Sequence, residues 1–234
     1  MRALNRICAN DIDVATGRIV YTQWLNDRGG IEADLTITRL AEDDYRIVTS
    51  GETEVRDFSY LERNIGDSAD VFLYNETSSL AVLSVMGPRS RELLQSLTPD
   101  DLSHRAFPFA TSREIELAFT RVRASRITYV GELGFELYVP TEFALGVYEK
   151  LTEQGELFGL THCGYHALNS LRIEKAYRHW GHDIADEDSP LEAGLMFVVK
   201  PEKAGGFIGR DALLQQLDRG RTRALVQFQL KDPT

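Results

Sequence analysis

One stretch of the chain alternates apolar and polar positions around a pair of glycines. Ile127–Val130 is rich in β-branched and aromatic residues, which predicts a strand. Gly131 and Gly134 bracket a short turn, so the next residues are expected to return as the second strand of a hairpin. The side chains of that second strand divide between two faces, with Phe135, Leu137 and Val139 on one and Glu136 and Tyr138 on the other.

The polar face of this hairpin carries candidate chemistry. An acid, Glu136, and a phenol, Tyr138, stand on rigid backbone beside glycines, and such a pair can hold a flat polar heterocycle. The plain alternative is an ordinary hairpin whose Glu136 is solvated.

A second alternating stretch follows another glycine turn. Residues 31–40 predict a strand, and Asp34 falls inside it among Ile31, Leu35 and Ile37. Aspartate is disfavoured in strands, so a carboxylate here needs either a partner or a task. The plain alternative is an Asp34 that caps a turn or faces solvent.

The remaining pattern predicts an alternation of short strands and helices. Strands are expected at 17–24, 45–48, 70–75, 79–84 and 223–230, and helices at 1–12, 52–64, 87–97, 141–158, 166–177 and from 207 to about 217.

An internal repeat organises these elements. Leu94–Leu102 echoes Leu4–Ile12, and each is followed by two predicted strands. The repeat predicts an α+β protein of two related units, each an antiparallel sheet with helices. The expected segments are 1–84 with Asp34, 85–200 with Glu136, and 201–234 as a connector and the first strand of a further β domain. The first unit lacks an opening strand and the last strand lacks a partner, so we expect both ends to be truncated.

Composition narrows the function classes. The chain has 234 residues and a net charge of −10, which disfavours nucleic acid as a partner. No run approaches the ~20 apolar residues of a membrane span. The first six residues are too polar for a signal-peptide core, and Cys8 and Cys163 form neither a metal-binding spacing nor a disulfide framework. A cytoplasmic protein is expected, and an organelle matrix fits equally.

Four segments carry a resemblance to a known family. Gly29–Leu35 resembles the Gly-Gly-Ile-x-x-Asp-Leu segment of the folate-dependent aminomethyltransferases, the glycine-cleavage T-protein family. Tyr129–Glu136 resembles its Gly-Tyr-Thr-Gly-Glu-x-Gly-Phe-Glu segment. Ser189–Leu195 and Phe207–Arg210 match two more family segments in the same order. The four matches span nearly the whole chain.

The resemblance implies a fold and a site. Family members have three domains in a cloverleaf with folate between them, and this chain resembles the first two α+β units, without the C-terminal β-barrel domain. The family's aspartate, here Asp34, lies near N5 and N10 of tetrahydrofolate and assists proton movement. The family's second glutamate, here Glu136, accepts hydrogen bonds from the pterin N–H groups, and the tyrosine of that segment is Tyr129.

Departures from the T-protein pattern point to one branch. The first Arg of its Arg-Asp-x-Leu-Arg helix is Leu168 here, so only Arg172 remains as a folate-binding candidate. The plain alternative is an Arg172 that pairs with Glu174 or caps the helix. Its tyrosine after the catalytic aspartate is Thr38, and its asparagine falls near Ser50, a further binding candidate. These features resemble the folate-binding half of the dimethylglycine and sarcosine dehydrogenases.

That branch implies specific partners. Its members oxidise an N-methyl amine on an FAD domain, and tetrahydrofolate captures the one-carbon group as 5,10-methylenetetrahydrofolate. The FAD domain, with its Gly-x-Gly-x-x-Gly fingerprint, is not in this sequence. The spacing of His179, His182 and Asp183 would suit a metal ion, but the stretch resembles a family loop that binds none.

Three functions stay open from the sequence. The first is a tetrahydrofolate-dependent one-carbon transferase unit of the dimethylglycine or sarcosine branch. The second is a folate-binding module without turnover. The third is a stand-alone aminomethyltransferase that acts on a lipoyl carrier protein, against which the replaced arginine and tyrosine count.

Overall fold

The computed structural model of the chain describes residues 1–66 and 70–231. Packing divides the chain into two compact units. The first unit comprises Met1–Ala15, Val20–Phe72 and Arg178–Thr234, and the second comprises Thr16–Ile19 and Leu73–Tyr177. The second unit is therefore inserted, in sequence, into the first.

The helices and strands follow one another in the order α1, three strands, α2, one strand, α3, three strands and three helices. Their bounds are α1 Arg2–Ile7, β1 Ile19–Leu25, β2 Ile31–Arg39, β3 Tyr45–Val48, α2 Glu54–Ile65, β4 Leu80–Met86, α3 Ser90–Gln95, β5 Ser112–Leu117, β6 Thr120–Ser125, β7 Gly134–Pro140, α4 Ala144–Gly155, α5 Tyr165–Glu174 and α6 Arg210–Arg219.

The first unit contains a three-stranded sheet in the order β1-β2-β3. Along β2 the side chains alternate, so that Ile31, Ala33, Leu35 and Ile37 are buried while the polar residues between them lie on the opposite face. Leu25 of β1 and Ile31 of β2 pack in one core with residues from the C-terminal part of the chain, including Ile184, Leu195 and Leu213. Burial of one face therefore fixes the register of β2.

The turn between β1 and β2 is held by a side chain. The Asn26 Oδ1 atom accepts hydrogen bonds from the backbone N–H groups of Arg28 and Gly30, each at 3.0 Å. A Cβ atom on Gly30 would lie 1.8 Å from the carbonyl oxygen of Asp186, so only glycine fits at that position. The close approach of the Gly30 backbone to Asp186 anchors the start of β2, three residues before Asp34.

The second unit contains a four-stranded sheet in the order β4-β7-β6-β5, and all its pairs are antiparallel. Phe135, Leu137 and Val139 of β7 are fully buried on one face, as the alternation predicts. The helices α3 and α4 contribute Leu93, Leu94, Val147 and Leu151 to the same core. The central strand β7 thus has its apolar face covered and its polar face, with Glu136, turned away from that core.

The predicted strand Ile127–Val130 is wrong. Residues 126–133 form an irregular loop before β7, and the backbone of this loop is bonded locally. The N–H of Ile127 donates to the carbonyl of Ser125 at 3.0 Å, and that of Val130 donates to the Thr128 hydroxyl at 3.2 Å. A threonine that bonds the backbone two residues ahead competes with strand pairing, which explains the loop. The tight hairpin lies instead between β5 and β6.

Two further predicted strands are also wrong. Residues 70–75 and 223–230 have no regular secondary structure. Phe72 is 88% exposed and Phe228 is 85% exposed, so neither stretch has a sheet to cover its apolar side chains. Alternation alone does not make a strand, because a strand also needs a neighbour to accept its hydrogen bonds.

The α+β class with antiparallel sheets and helices is confirmed by the structure. The compact units are defined by packing, whereas the segments 1–84, 85–200 and 201–234 come from the repeat, and those boundaries stay a prediction. Within the described residues, none of the helices is both long and apolar enough to span a bilayer.

Candidate functional site

The Asp34 carboxyl group is held by two side chains from the neighbouring strand. The Tyr21 hydroxyl donates a hydrogen bond to Oδ2 at 2.8 Å, and the Gln23 Nε2 group donates to Oδ1 at 3.2 Å. Asp34 itself is half-buried. The carboxylate that the sequence singled out therefore has partners, and it neither caps a turn nor extends freely into solvent.

The pleat of the sheet explains this arrangement. Tyr21 and Gln23 are two residues apart on β1, so their side chains share one face of the sheet. Asp34 lies on the face of β2 opposite Leu35 and the other apolar side chains. A strand that buries one face in a core thus presents its acid on the other, beside the phenol and the amide.

Burial makes Asp34 a weak acid. Loss of hydration raises the pKa of its carboxyl from 3.8 to about 6, although the hydrogen bonds from Tyr21 and Gln23 and the positive charge of Arg178 oppose the rise. A group with a pKa about 6 exchanges a proton readily near neutral pH, and such acids are typical of general acid–base sites.

The amide next to Asp34 has an unused acceptor. Gln23 is fully buried, yet its Oε1 atom has no hydrogen-bond partner among the described residues. A buried polar atom without a partner costs free energy of about 1–3 kcal/mol, so such an atom commonly marks a place for a ligand or a water molecule. The group around Asp34 can therefore accept a further N–H or O–H donor.

Ser50 lies just beyond the end of the same sheet. The ladder between β2 and β3 ends at the pair Thr36 and Val48, two residues short of the point where Asp34 would face Ser50. The backbone carbonyl of Ser50 accepts from the N–H and the hydroxyl of Thr53, both at 3.1 Å, while the residue itself is exposed. The binding role of Ser50 stays a prediction.

The second candidate group lies in the second unit, on β7. The Tyr138 hydroxyl donates to the Glu136 Oε2 atom at 2.7 Å, since residues two apart on a strand share a face. Glu136 is paired between Ser84 and Ser125 in the middle of the sheet. Burial raises the pKa of its carboxyl, and the bond from Tyr138 opposes that rise.

The Glu136 carboxylate keeps acceptor capacity. Within residues 1–66 and 70–231, Tyr138 is its one hydrogen-bond donor. A carboxylate has two oxygens with about four acceptor positions, so Oε1 can take N–H donors from a ligand. Charge-assisted bonds of this kind are about twice as strong as neutral ones.

Tyr129 stands in the loop before β7 and stacks on Tyr177. Their ring centroids are 6.2 Å apart at an interplanar angle of 28°. Arg172 of α5 reaches the same place, because its Nη1 atom donates to the carbonyl of Tyr177 at 2.9 Å. The structure thus brings Tyr129 and Arg172 together through Tyr177.

Arg172 has a structural task in this arrangement. Its side chain is 3% exposed, and its Nε atom donates to the Asn169 Oδ1 atom at 2.9 Å. It therefore ties the end of α5 to the following segment, and the folate-binding role of Arg172 stays a prediction. The His179 and His182 rings lie 4.3 Å apart, but their stretch joins no metal-ligand cluster of three or more in the described residues.

The chain matches the "GCVT N-terminal domain" family over residues 1–203. It belongs to this family. The solved structure of the glycine cleavage system aminomethyltransferase T from Bartonella henselae superposes with a TM-score of 0.80 at 28% identity, over 95% of this chain and 59% of that one. The family fold is therefore shared.

Two relatives lie in the oxidising branch of the family. The 4-methylaminobutanoate oxidase (formaldehyde-forming) of Paenarthrobacter nicotinovorans is 46% identical over 95% of this chain, which covers 27% of that protein. The mitochondrial sarcosine dehydrogenase of Homo sapiens is 38% identical over 99% of this chain, again 27% of that protein. The chain thus spans about a quarter of the length of these relatives.

Sequence reasoning missed Tyr21 and Gln23. The alternation on β1 predicts a strand, but it does not show which side chains of β2 lie beside it. A glutamine directly before the apolar pair Trp24 and Leu25 is as unusual in a buried strand as Asp34 is in β2. That signal, taken with the short turn that joins the two strands, would have placed the amide beside the acid.

Proposed function

We propose that this chain is the tetrahydrofolate-binding, one-carbon transfer unit of its family. It would capture a one-carbon group derived from an N-methyl amine, such as dimethylglycine or sarcosine, to give 5,10-methylenetetrahydrofolate. The observation that carries the proposal is the Asp34 carboxyl, held by Tyr21 and Gln23 with its pKa raised to about 6. An acid of that strength can both give and take a proton at neutral pH.

The residues present suit tetrahydrofolate chemically. The pterin ring is flat and rich in N–H donors, and the Glu136 Oε1 atom is an unused acceptor for such donors. Tetrahydrofolate supplies two amine nitrogens that can accept the one-carbon group. Glu136 would hold the pterin by its N–H groups, and Tyr129 would offer an aromatic surface.

The chain's own groups have distinct tasks in this proposal. Asp34 holds or releases a proton near the reacting nitrogen, and its bonds to Tyr21 and Gln23 keep the carboxyl oriented before substrate arrives. Glu136 stays ionised above its raised pKa and acts as an acceptor. Orientation and proton movement are thus supplied by different acids.

The names of two relatives support the proposed donor and oxidising partner. One relative is named a formaldehyde-forming oxidase of 4-methylaminobutanoate and another a sarcosine dehydrogenase, and both names denote oxidation of an N-methyl amine. We propose that an FAD-dependent dehydrogenase domain or subunit delivers the one-carbon group to this chain. The sequence itself carries no dinucleotide fingerprint for that step.

The test separates binding from turnover. Tetrahydrofolate is titrated calorimetrically into the chain and into Glu136→Gln and Asp34→Asn, with the exposed Glu142→Gln as a matched control. Formation of 5,10-methylenetetrahydrofolate from formaldehyde is then measured against the uncatalysed reaction. We expect Glu136→Gln to weaken binding about tenfold or more, because a charge-assisted bond contributes about 1.5–3 kcal/mol.

Asp34→Asn should bind tetrahydrofolate but lose most of the acceleration. If Asp34→Asn keeps full turnover, the acid–base role is wrong. Equal turnover with and without the chain, combined with Glu136-dependent binding, would identify a folate-binding module without catalysis. No binding by the unaltered chain would refute the proposal.

A further inference from the structure

Two arginines of the second unit have buried guanidinium nitrogens without hydrogen-bond partners among the described residues. Arg126 is 8% exposed, and its Nε atom has no hydrogen-bond partner. The Nε and Nη2 atoms of Arg91 are buried and equally without partners. Across the described parts of the chain neither arginine forms an ion pair with an acid. Three N–H-bearing nitrogens on two cations therefore lack acceptors.

Both arginines flank the same short piece of backbone. The Arg126 Nη1 atom reaches the carbonyl of Gly134 at 3.4 Å. Next to Arg91, the Ser90 hydroxyl donates to the carbonyl of Leu133 at 3.1 Å, which fixes the first turn of α3 on the preceding residue. The two guanidinium groups are thus carried by elements that meet at one peptide, directly before β7.

The surroundings of Arg126 explain why its charge is tolerated but not satisfied. Its guanidinium carbon lies 5.3 Å from the ring centroid of Phe135 and 5.9 Å from that of Phe109. Aromatic faces attract a cation, yet they accept no strong hydrogen bonds from its N–H groups. Such a site compensates part of the charge and leaves the donors available.

The two positive charges also disfavour each other. Burial lowers the pKa of Arg126, and the positive charge of Arg91 lowers it further. Taking an unpaired cation out of water costs several kcal/mol, and a like charge nearby adds to that cost. An anion between the groups would reverse both effects and would supply the missing acceptors.

We propose that Arg91 and Arg126 form a binding site for a small oxyanion, a carboxylate or a phosphate group, beside the Leu133–Gly134 backbone. The planar N–H fork of arginine matches the two oxygens of such a group. The bound anion stabilises the loop that precedes β7. This site consists of second-unit residues alone and does not depend on the proposed folate chemistry.

The experiment compares phosphate with chloride at equal ionic strength. Melting temperatures are measured for the chain, for Arg126→Met, for Arg91→Met and for the exposed Arg121→Met as a control. At a tenfold excess of phosphate over its Kd the unfolding equilibrium should shift about elevenfold. For a chain of this size, that shift corresponds to a rise of about 3–6 °C.

The chain and Arg121→Met should show this rise, and both site variants should lose it. Arg91→Met is the decisive variant if Arg126→Met fails to fold, because Arg91 is only half-buried. Calorimetric titration of phosphate should give the same pattern. An equal phosphate response in Arg91→Met and Arg121→Met, or no response in the chain, would overturn the proposal.

A second arm identifies the source of the oxyanion. Phosphate is titrated in the presence of saturating tetrahydrofolate. If the phosphate response disappears, a carboxylate of the folate occupies the site. If the response is unchanged, the site takes a free anion.

Discussion

The Asp34 carboxyl should make the stability of the chain depend on pH in a predictable direction. Its pKa is raised from 3.8 to about 6 in the folded state, so folding favours the protonated form. The contribution is fully present below about pH 4 and is lost as the pH rises through about 6. The free energy of unfolding should therefore decrease across this range because of Asp34, whereas Asp34→Asn removes the effect.

The size of the effect follows from the shift. The difference between a pKa of 3.8 and one of about 6 corresponds to about 3 kcal/mol of unfolding free energy between the extremes of pH. Between about pH 5 and about pH 7.5 the folded and unfolded pKa values give a loss of about 1.4 kcal/mol. For a protein of this size, such a loss lowers the melting temperature by about 3–6 °C.

The assay is urea unfolding of the chain and of Asp34→Asn at about pH 5 and about pH 7.5. The quantity compared is the change in unfolding free energy of each protein between the two pH values. The exposed Asp218→Asn should behave like the unaltered chain. Tyr21→Phe removes one donor to the carboxylate and should raise the pKa of Asp34 further, which NMR titration of the side-chain carboxyl carbon would report.

The reasoning would be refuted if the unfolding free energy changed by the same amount between the two pH values in the chain and in Asp34→Asn. So would an NMR midpoint near 4, since it would mean that water reaches the carboxylate freely. Either result would remove the argument that Asp34 is a proton donor and acceptor at neutral pH.

Two further predictions concern packing and thiol chemistry. Gly30→Ala should destabilise the chain severely, because its Cβ would lie 1.8 Å from the Asp186 carbonyl oxygen, whereas Gly146→Ala, with open space on α4, should stabilise it by about 0.5–1 kcal/mol in thermal melts. Destabilisation by both substitutions would contradict this. An aromatic disulfide reagent should titrate the exposed Cys163 at once and Cys8 only after unfolding, since burial raises the pKa of the Cys8 thiol to about 12. Rapid reaction of both thiols with the reagent in the native chain would be inconsistent with the structure.

Periodicity predicted most of the sheet and helix content, because burial of one face leaves a strong mark on sequence. Glu136 and Tyr138 illustrate this, since their shared face is confirmed by a 2.7 Å hydrogen bond. Asp34 was singled out because an acid is rare in an apolar strand, and the structure supplies its partners. Each of these inferences needs only the order of residues within one strand.

The errors arose where the outcome depends on a neighbour that the local pattern does not reveal. The strand predicted at Ile127–Val130 is a loop, because Thr128 bonds the backbone locally. The hairpin between β5 and β6 turns at Ala118 and Phe119, both with positive φ, although neither residue type signals such a turn. Gln23 was missed because its significance depends on β2, a different strand.

Because the first unit is discontinuous in sequence, its core can be completed only late in the synthesis of the chain. Its core joins Ile31 of β2 to Leu213 of α6, whereas the second unit is complete at Tyr177. At about 5–20 residues per second, the ribosome needs roughly 9–36 s to extend from one core residue to the other. During that interval Ile31 lacks its C-terminal packing partners while the inserted unit can already fold, so we expect chaperone dependence to concentrate on the first sheet.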